Sequence, residues 1–182
     1  MKNTGLLLID IQNIYFHEGE YLLTEPEKAA INAQKILELW RTEGHKVIHI
    51  QHNFKVSKEQ KFLTDIYKEV MPKEGEIIIN KDYPNSFYQT DLLDRLREFE
   101  LNDLVIVGMM SNMCVDTTVR ACKDVGINVV LLQDACAAKR LVFKNQILQG
   151  DLVHKVFMAS LEGVFAKVMD TQEFINGYMN EV

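Results

Sequence analysis

Cys114 follows the apolar run Leu104-Val-Ile-Val-Gly108 by a few residues and opens a helical pattern that closes at Gly126. Ser111 and Asn112 read as the caps of that helix, and Gly126 as its C′ glycine. The sulfur then falls in the first helical turn, at the carboxyl end of a buried strand. Unpaired backbone N–H groups and the positive end of the helix dipole favour a thiolate there. They equally favour the oxygen of a carbonyl under attack. Two more residues carry what a thiol nucleophile needs. Asp10 interrupts an otherwise apolar strand near its carboxyl end, and Lys81 directly follows another strand. The aspartate can take the thiol proton, while the lysine holds thiolate and buried carboxylate in their charged forms. Each residue alone has a plainer reading: a structural acceptor, a solvated loop cation, a small buried hydrophobe. At three strand ends of one sheet, they become a site where Cys114 attacks an electrophilic carbon.

The rest of the chain supplies such a sheet. Strands are expected at Leu6–Ile11, Val47–Gln51, Glu76–Asn80, Leu104–Val107 and Asn128–Leu132, with a last one over Val164–Val168. Between them lie helices from Pro26 to Trp40, Asp91 to Phe99, Met113 to Gly126, Leu152 to Leu161 and Thr171 to Tyr178. The strands are continuous apolar runs, as strands covered on both faces must be. Alternating β and α therefore predicts one domain over residues 1–182: a three-layer α/β/α fold, Rossmann-like, on a mostly parallel open sheet of about six strands. Ligands of such sheets bind outside the carboxyl ends of the strands, where strand order reverses. Residues 53–75 form a long charged connection with a helical turn around Phe62 to Val70, and an irregular stretch follows Asp134.

Composition excludes several classes. A net charge of −6 without a Lys/Arg cluster argues against nucleic acid. No apolar run is long enough to span a bilayer, and the first residues leave no space for a leader peptide. Three cysteines, Cys114, Cys122 and Cys136, read as free thiols in a reducing compartment, so a cytoplasmic location is expected. There is no Gly-rich phosphate loop.

Four segments together carry a resemblance that covers nearly the whole chain. They are Leu7-Leu-Ile-Asp-Ile-Gln-Asn13, Asn80-Lys-Asp-Tyr-Pro-Asn-Ser-Phe87 with Thr90, Val107-Gly-Met-Met-Ser-Asn-Met-Cys-Val115, and Asp134-Ala-Cys-Ala-Ala138. In this order and register the chain resembles the isochorismatase-like cysteine hydrolases, which include nicotinamidases and N-carbamoylsarcosine amidohydrolases. The resemblance implies a catalytic triad of Asp10, Lys81 and Cys114. It also implies a cis peptide at Met109–Met110 and an oxyanion hole from the backbone N–H groups of Met110 and Cys114. Two departures bear on the reaction. Nicotinamidases hold a metal through an Asp-x-His…His set, whereas this chain reads His49-Ile-Gln-His52-Asn, without the aspartate. A strand turns His49 and His52 to opposite faces: His49 reads as a core residue and His52 as a hydrogen-bonding group of the pocket or loop. No metal and no cofactor are expected. Isochorismatase proper cleaves a vinyl ether without a cysteine nucleophile, so the presence of Cys114 argues against that reaction.

The expected activity is hydrolysis of a small amide or ureido C–N bond through an acyl-enzyme. A metal-dependent nicotinamidase and a non-catalytic, redox-responsive protein are the alternatives. For the pocket, Phe16 and Phe87 are the expected walls, with Gln51, Asn53 and Asn85 as partners for an amide or ureido group. Tyr15, Phe54, Tyr83 and Tyr88 lie near the same edge. The expected partners are a small-molecule amide or ureide and further copies of the chain, as homodimer or higher oligomer, because Met109, Met110 and Met113 would put apolar surface near the site.

Overall fold

The computed structural model describes residues 3–17 and 21–181. Among these, one sheet carries six parallel strands in the order β3-β2-β1-β4-β5-β8. They are β1 (Thr4–Ile9), β2 (Val47–His52), β3 (Ile77–Lys81), β4 (Asp103–Met109), β5 (Asn128–Ala137) and β8 (Lys167–Met169). Helices α1 (Pro26–Thr42), α2 (Leu92–Glu98), α3 (Asp116–Asp124), α4 (Gly150–Leu161) and α5 (Thr171–Glu181) complete the layers, and β6 (Leu141–Phe143) pairs with β7 (Gln146–Leu148) in a separate hairpin. Both faces of the sheet are buried, and β1 shows why. Leu6 and Leu8 pack with Ala33, Leu37 and Trp40 of α1 and Phe174 and Tyr178 of α5. Leu7 and Ile9 pack with Leu92 and Leu96 of α2, Val119 of α3 and Leu161 of α4. Alternate side chains of one apolar run thus feed two cores. No helix of the described residues is long and apolar enough to cross a membrane.

The sheet reverses its order between β1 and β4, the position at which parallel α/β sheets bind ligands. β1 stops at Ile9, not at Ile11, because Asp10 turns into the left-handed region at φ 50°. Aspartate tolerates that conformation better than most residues. Beside it, Gly108 of β4 has φ 147°, and a side chain there would collide with the Ile9 carbonyl. The close approach of β1 and β4 at the site edge therefore requires glycine.

Three expectations are corrected. Ser111 and Asn112 do not cap a helix: residues Ser111–Val115 wind as a π-helical turn with Met110 at its N-cap, and the buried Ser111 hydroxyl instead bonds to His154 Nδ1 at 2.8 Å. Met109 and Met110 are buried and only Met113 is exposed, so these methionines do not form an apolar surface. Finally, the stretch after Asp134 is regular. β5 runs on to Ala137, pairing Cys136 with Gly108 and Ala137 with Met109 beyond a bulge, and the β6–β7 hairpin turns on Lys144 and Asn145, both at positive φ.

Candidate active site

Asp10 follows β1, Lys81 ends β3 and Cys114 lies in the π-helical turn after β4, so three separate elements deliver them to one edge. Lys81 Nζ donates to Asp10 Oδ2 at 2.6 Å, and both side chains are wholly buried. The Cys114 sulfur, an Asp10 carboxylate oxygen and a His52 ring nitrogen all lie within 4.8 Å of one another. The peptide joining Met109 to Met110, just ahead of the thiol, is cis.

Burial decides the charge states. It raises the Asp10 carboxyl above the ordinary aspartate value, against the lowering effect of the Lys81 charge and of hydrogen bonding to Cys114 and Lys81. Burial also pushes the Cys114 thiol far above its usual range, and the Asp10 charge pushes it further while Lys81 opposes. Burial thus favours a neutral thiol beside the Lys81–Asp10 pair. Desolvation of Cys114, a residue only 6% exposed, opposes the helix-seated thiolate expected from the sequence. Tyr15, pushed well above its usual range by burial and by Asp10 and Cys114, remains a neutral phenol.

The sulfur opens onto a hollow of about 440 Å³, in the range of small-ligand sites. Its walls are Ile14, Tyr15, Tyr21, Phe54, Val56, Pro84, Met110 and Met113, with His52, Asn53, Lys55 and Asp82 as polar groups. Of the five residues expected in the pocket, Asn53 lines this hollow, its Nδ2 donating to Asp82 Oδ1 at 3.1 Å. The other four are engaged elsewhere. Phe16 stacks on Tyr67 with ring centroids 3.4 Å apart, and Gln51 Nε2 donates to the Thr64 carbonyl at 2.8 Å. Asn85 Oδ1 accepts from the Phe87 amide at 2.9 Å, and the Phe87 ring packs into the core layer of α2 and α3. Tyr21 and Val56 carry no sequence signal that separates them from ordinary loop residues. Gln12 had one, lying two residues beyond Asp10 in the Leu7–Asn13 segment. Its side chain is fully buried, accepts from the His52 amide at 2.8 Å, and donates to the carbonyls of His52 and Thr64 at 3.0 and 2.6 Å.

Asp10, His52 and Cys114 each turn one metal-ligating atom toward the others. The donor set does not fit a divalent cation, because Lys81 Nζ already sits 2.6 Å from Asp10 Oδ2 and 3.1 Å from His52 Nδ1. His49 is turned away, its Nε2 2.9 Å from Glu76 Oε2.

A doubly covered parallel sheet that gathers an acid, an amine and a thiol at its reversal point defines a three-layer α/β/α protein with a candidate site at the strand ends. The isochorismatase domain model matches residues 4–173, and the chain belongs to the isochorismatase family of hydrolases. It is 43% identical over 177 residues to the isochorismatase family protein YddQ of Bacillus subtilis (strain 168), covering 94% of this chain and 98% of that one. The crystal structure of an isochorismatase from Pseudomonas putida KT2440 superposes with a TM-score of 0.90 at 33% identity, over 94% of this chain and 90% of that chain. The ureidoacrylate amidohydrolase RutB of Acinetobacter baylyi is 25% identical over 217 residues, covering 98% of this chain and 85% of that one.

Proposed function

We propose that this protein hydrolyses the C–N bond of a small amide or ureide through a thioester on Cys114, with Asp10 as base and Lys81 as electrostatic support. The buried Lys81–Asp10 pair beside the Cys114 sulfur, opening onto a largely apolar hollow, is the observation that carries the reading. The similarity to a ureidoacrylate amidohydrolase supports the choice of bond.

Asp10 takes the Cys114 proton as the sulfur adds to the carbonyl carbon, so the thiolate exists only as it reacts. Negative charge then develops on the carbonyl oxygen, and the N–H groups of Met110 and Cys114 receive it at the start of the helical turn. The C–N bond breaks, the nitrogen leaves with the proton held by Asp10, and an acyl group remains on sulfur. A water molecule gives its proton to Asp10 and adds to the thioester; the acid departs and the thiol recovers the proton. Aromatic walls from Tyr15, Tyr21 and Phe54 suit a small planar group, and Asn53 is a partner for its amide or ureido atoms.

The test is mass spectrometry of protein quenched during turnover of a ureide or amide panel. An acyl adduct on Cys114 is expected, and Cys114→Ala should lose both adduct and turnover. Wild-type turnover by Cys114→Ala would remove the mechanism. The same reading keeps a homodimer or larger oligomer in a cytoplasmic setting as the working form.

A further inference from the structure

His52 takes no part in the steps above, yet its place in the sheet is specific. β2 lies between β1 and β3, and its last residue, His52, pairs in register with Lys81. His52 Nδ1 is 3.1 Å from Lys81 Nζ, which is itself 2.6 Å from Asp10 Oδ2. An ammonium only donates, so Nδ1 accepts and the ring hydrogen rests on Nε2. The main chain of His52 is pinned on both sides by the Gln12 amide, and the Phe54 ring lies 4.7 Å from the imidazole.

An ammonium has three N–H bonds pointing apart. Here its neighbours are Asp10 and His52, whose Oδ2 and Nδ1 accept from it at 2.6 and 3.1 Å, and the Cys114 sulfur, close to both. Their ligating atoms lie within 4.8 Å of one another, so a single Nζ can reach all three. Asp10 Oδ1, meanwhile, is buried and has no hydrogen-bond partner. A Lys81 released from His52 would find that oxygen and form a second bond to the carboxylate.

We propose that His52 is a positioning residue: by occupying one N–H of Lys81, it keeps the ammonium from closing onto both Asp10 oxygens and turns another N–H to the Cys114 sulfur. Asp10 Oδ1 is thereby left open for the thiol proton, and the sulfur that loses it has a cation beside it. The charged and titratable groups around the imidazole are Lys81 at the end of β3, Asp82 just after it, Asp10 and Cys114. Burial and the Lys81 charge hold the imidazole at about 4 despite the opposing pull of Asp82, so the acceptor persists through neutral pH. The consequence for turnover rests on the hydrolytic reading, but the effect on sulfur ionisation does not.

The experiment is the rate of Cys114 alkylation by iodoacetamide across pH, followed by mass spectrometry, in wild type, His52→Leu and His52→Asn, with thermal melts of each. Asparagine offers an oxygen close to the place of Nδ1, and leucine offers no acceptor. The expected result is an alkylation rate about tenfold lower in His52→Leu, as for a thiol pKa displaced upward by about one unit. His52→Asn should stay near wild type. A leucine variant that alkylates with the wild-type profile overturns the proposal, as does a folded asparagine variant that falls as far as leucine. If His52→Leu does not fold, His52→Ala replaces it in the same comparison. Absence of amide turnover in every variant would count against hydrolysis alone, because alkylation needs no substrate.

Discussion

A protonated Cys114 places the burden of activation on Asp10, whose buried carboxyl is a stronger base than an exposed aspartate. On the hydrolytic reading, kcat/KM should rise with pH as Asp10 ionises. Burial raises that pKa and Lys81 only partly opposes it, so the rise should lie above the pH at which an exposed aspartate titrates. The carboxyl and thiol interact, so the midpoint belongs to the pair rather than to one residue. Asp10→Asn keeps the shape and removes the base; we expect kcat to fall about 10²–10⁴-fold, with the acidic limb of the profile abolished. A steady-state pH series on both proteins checks this. An unchanged acidic limb in Asp10→Asn would assign the titration to another group.

The elements behind the site are held by a second charged cluster. Glu76, immediately before β3, accepts from Arg41 of α1 through Nε and Nη2 at 2.7 and 2.9 Å, and pairs with His49 of β2. Burial alone would raise this carboxyl, but hydrogen bonds from Arg41, the Lys73 amide and His49 outweigh it and hold the pKa at about 2. A carboxylate held below its unfolded value stabilises the fold above pH of about 4.5, and that stability is lost as pH falls toward about 2. His49, lowered chiefly by burial, acts in the same direction, since the unfolded imidazole takes a proton first. Glu76→Gln should therefore cost about 2–3 kcal/mol at neutral pH and little near pH of about 2, as urea melts at the two pH values would show. An equal loss at both would attribute the effect to packing. His49 as a buried residue is legible in the strand alternation, and so is the meeting of Asp10, Lys81 and Cys114, because each breaks a strong apolar or helical pattern at a strand end. The continuation of β5 is not legible. The stretch after Asp134 reads as irregular, yet Asp134 is held in place by Asn32 and Thr171, residues far off in sequence. Part of the hollow escapes for the same reason: Asn53, Phe54 and Tyr15 are legible near the sheet edge, but Tyr21 and Val56 reach it from loops whose paths are set by tertiary contacts.

The molecule as a whole carries a net charge of −6, and the β6–β7 hairpin with α4 exposes several large apolar side chains. Val142, Phe143 and Ile147 on the β6–β7 hairpin are 66%, 62% and 55% exposed, and Leu152 and Val156 on the following α4 are 49% and 56%. A two-stranded hairpin is marginal in water on its own, and exposed apolar side chains of this size usually meet a partner. The expected partner is a second copy. A stable interface needs roughly 1,200–2,000 Å², more than the hairpin alone offers, so the outer face of α4 should take part. Sedimentation velocity over a dilution series should show a dimer or larger species. Phe143→Glu should weaken it by about 2 kcal/mol or more, roughly thirtyfold in dissociation constant, because an aromatic anchor is replaced by a charge that must be desolvated. The melting profile of the Phe143→Glu monomer should stay close to that of wild type at high dilution, since the side chain belongs to neither core. A wild-type protein that sediments as a monomer throughout would remove the second copy and leave the hairpin as a surface for another ligand.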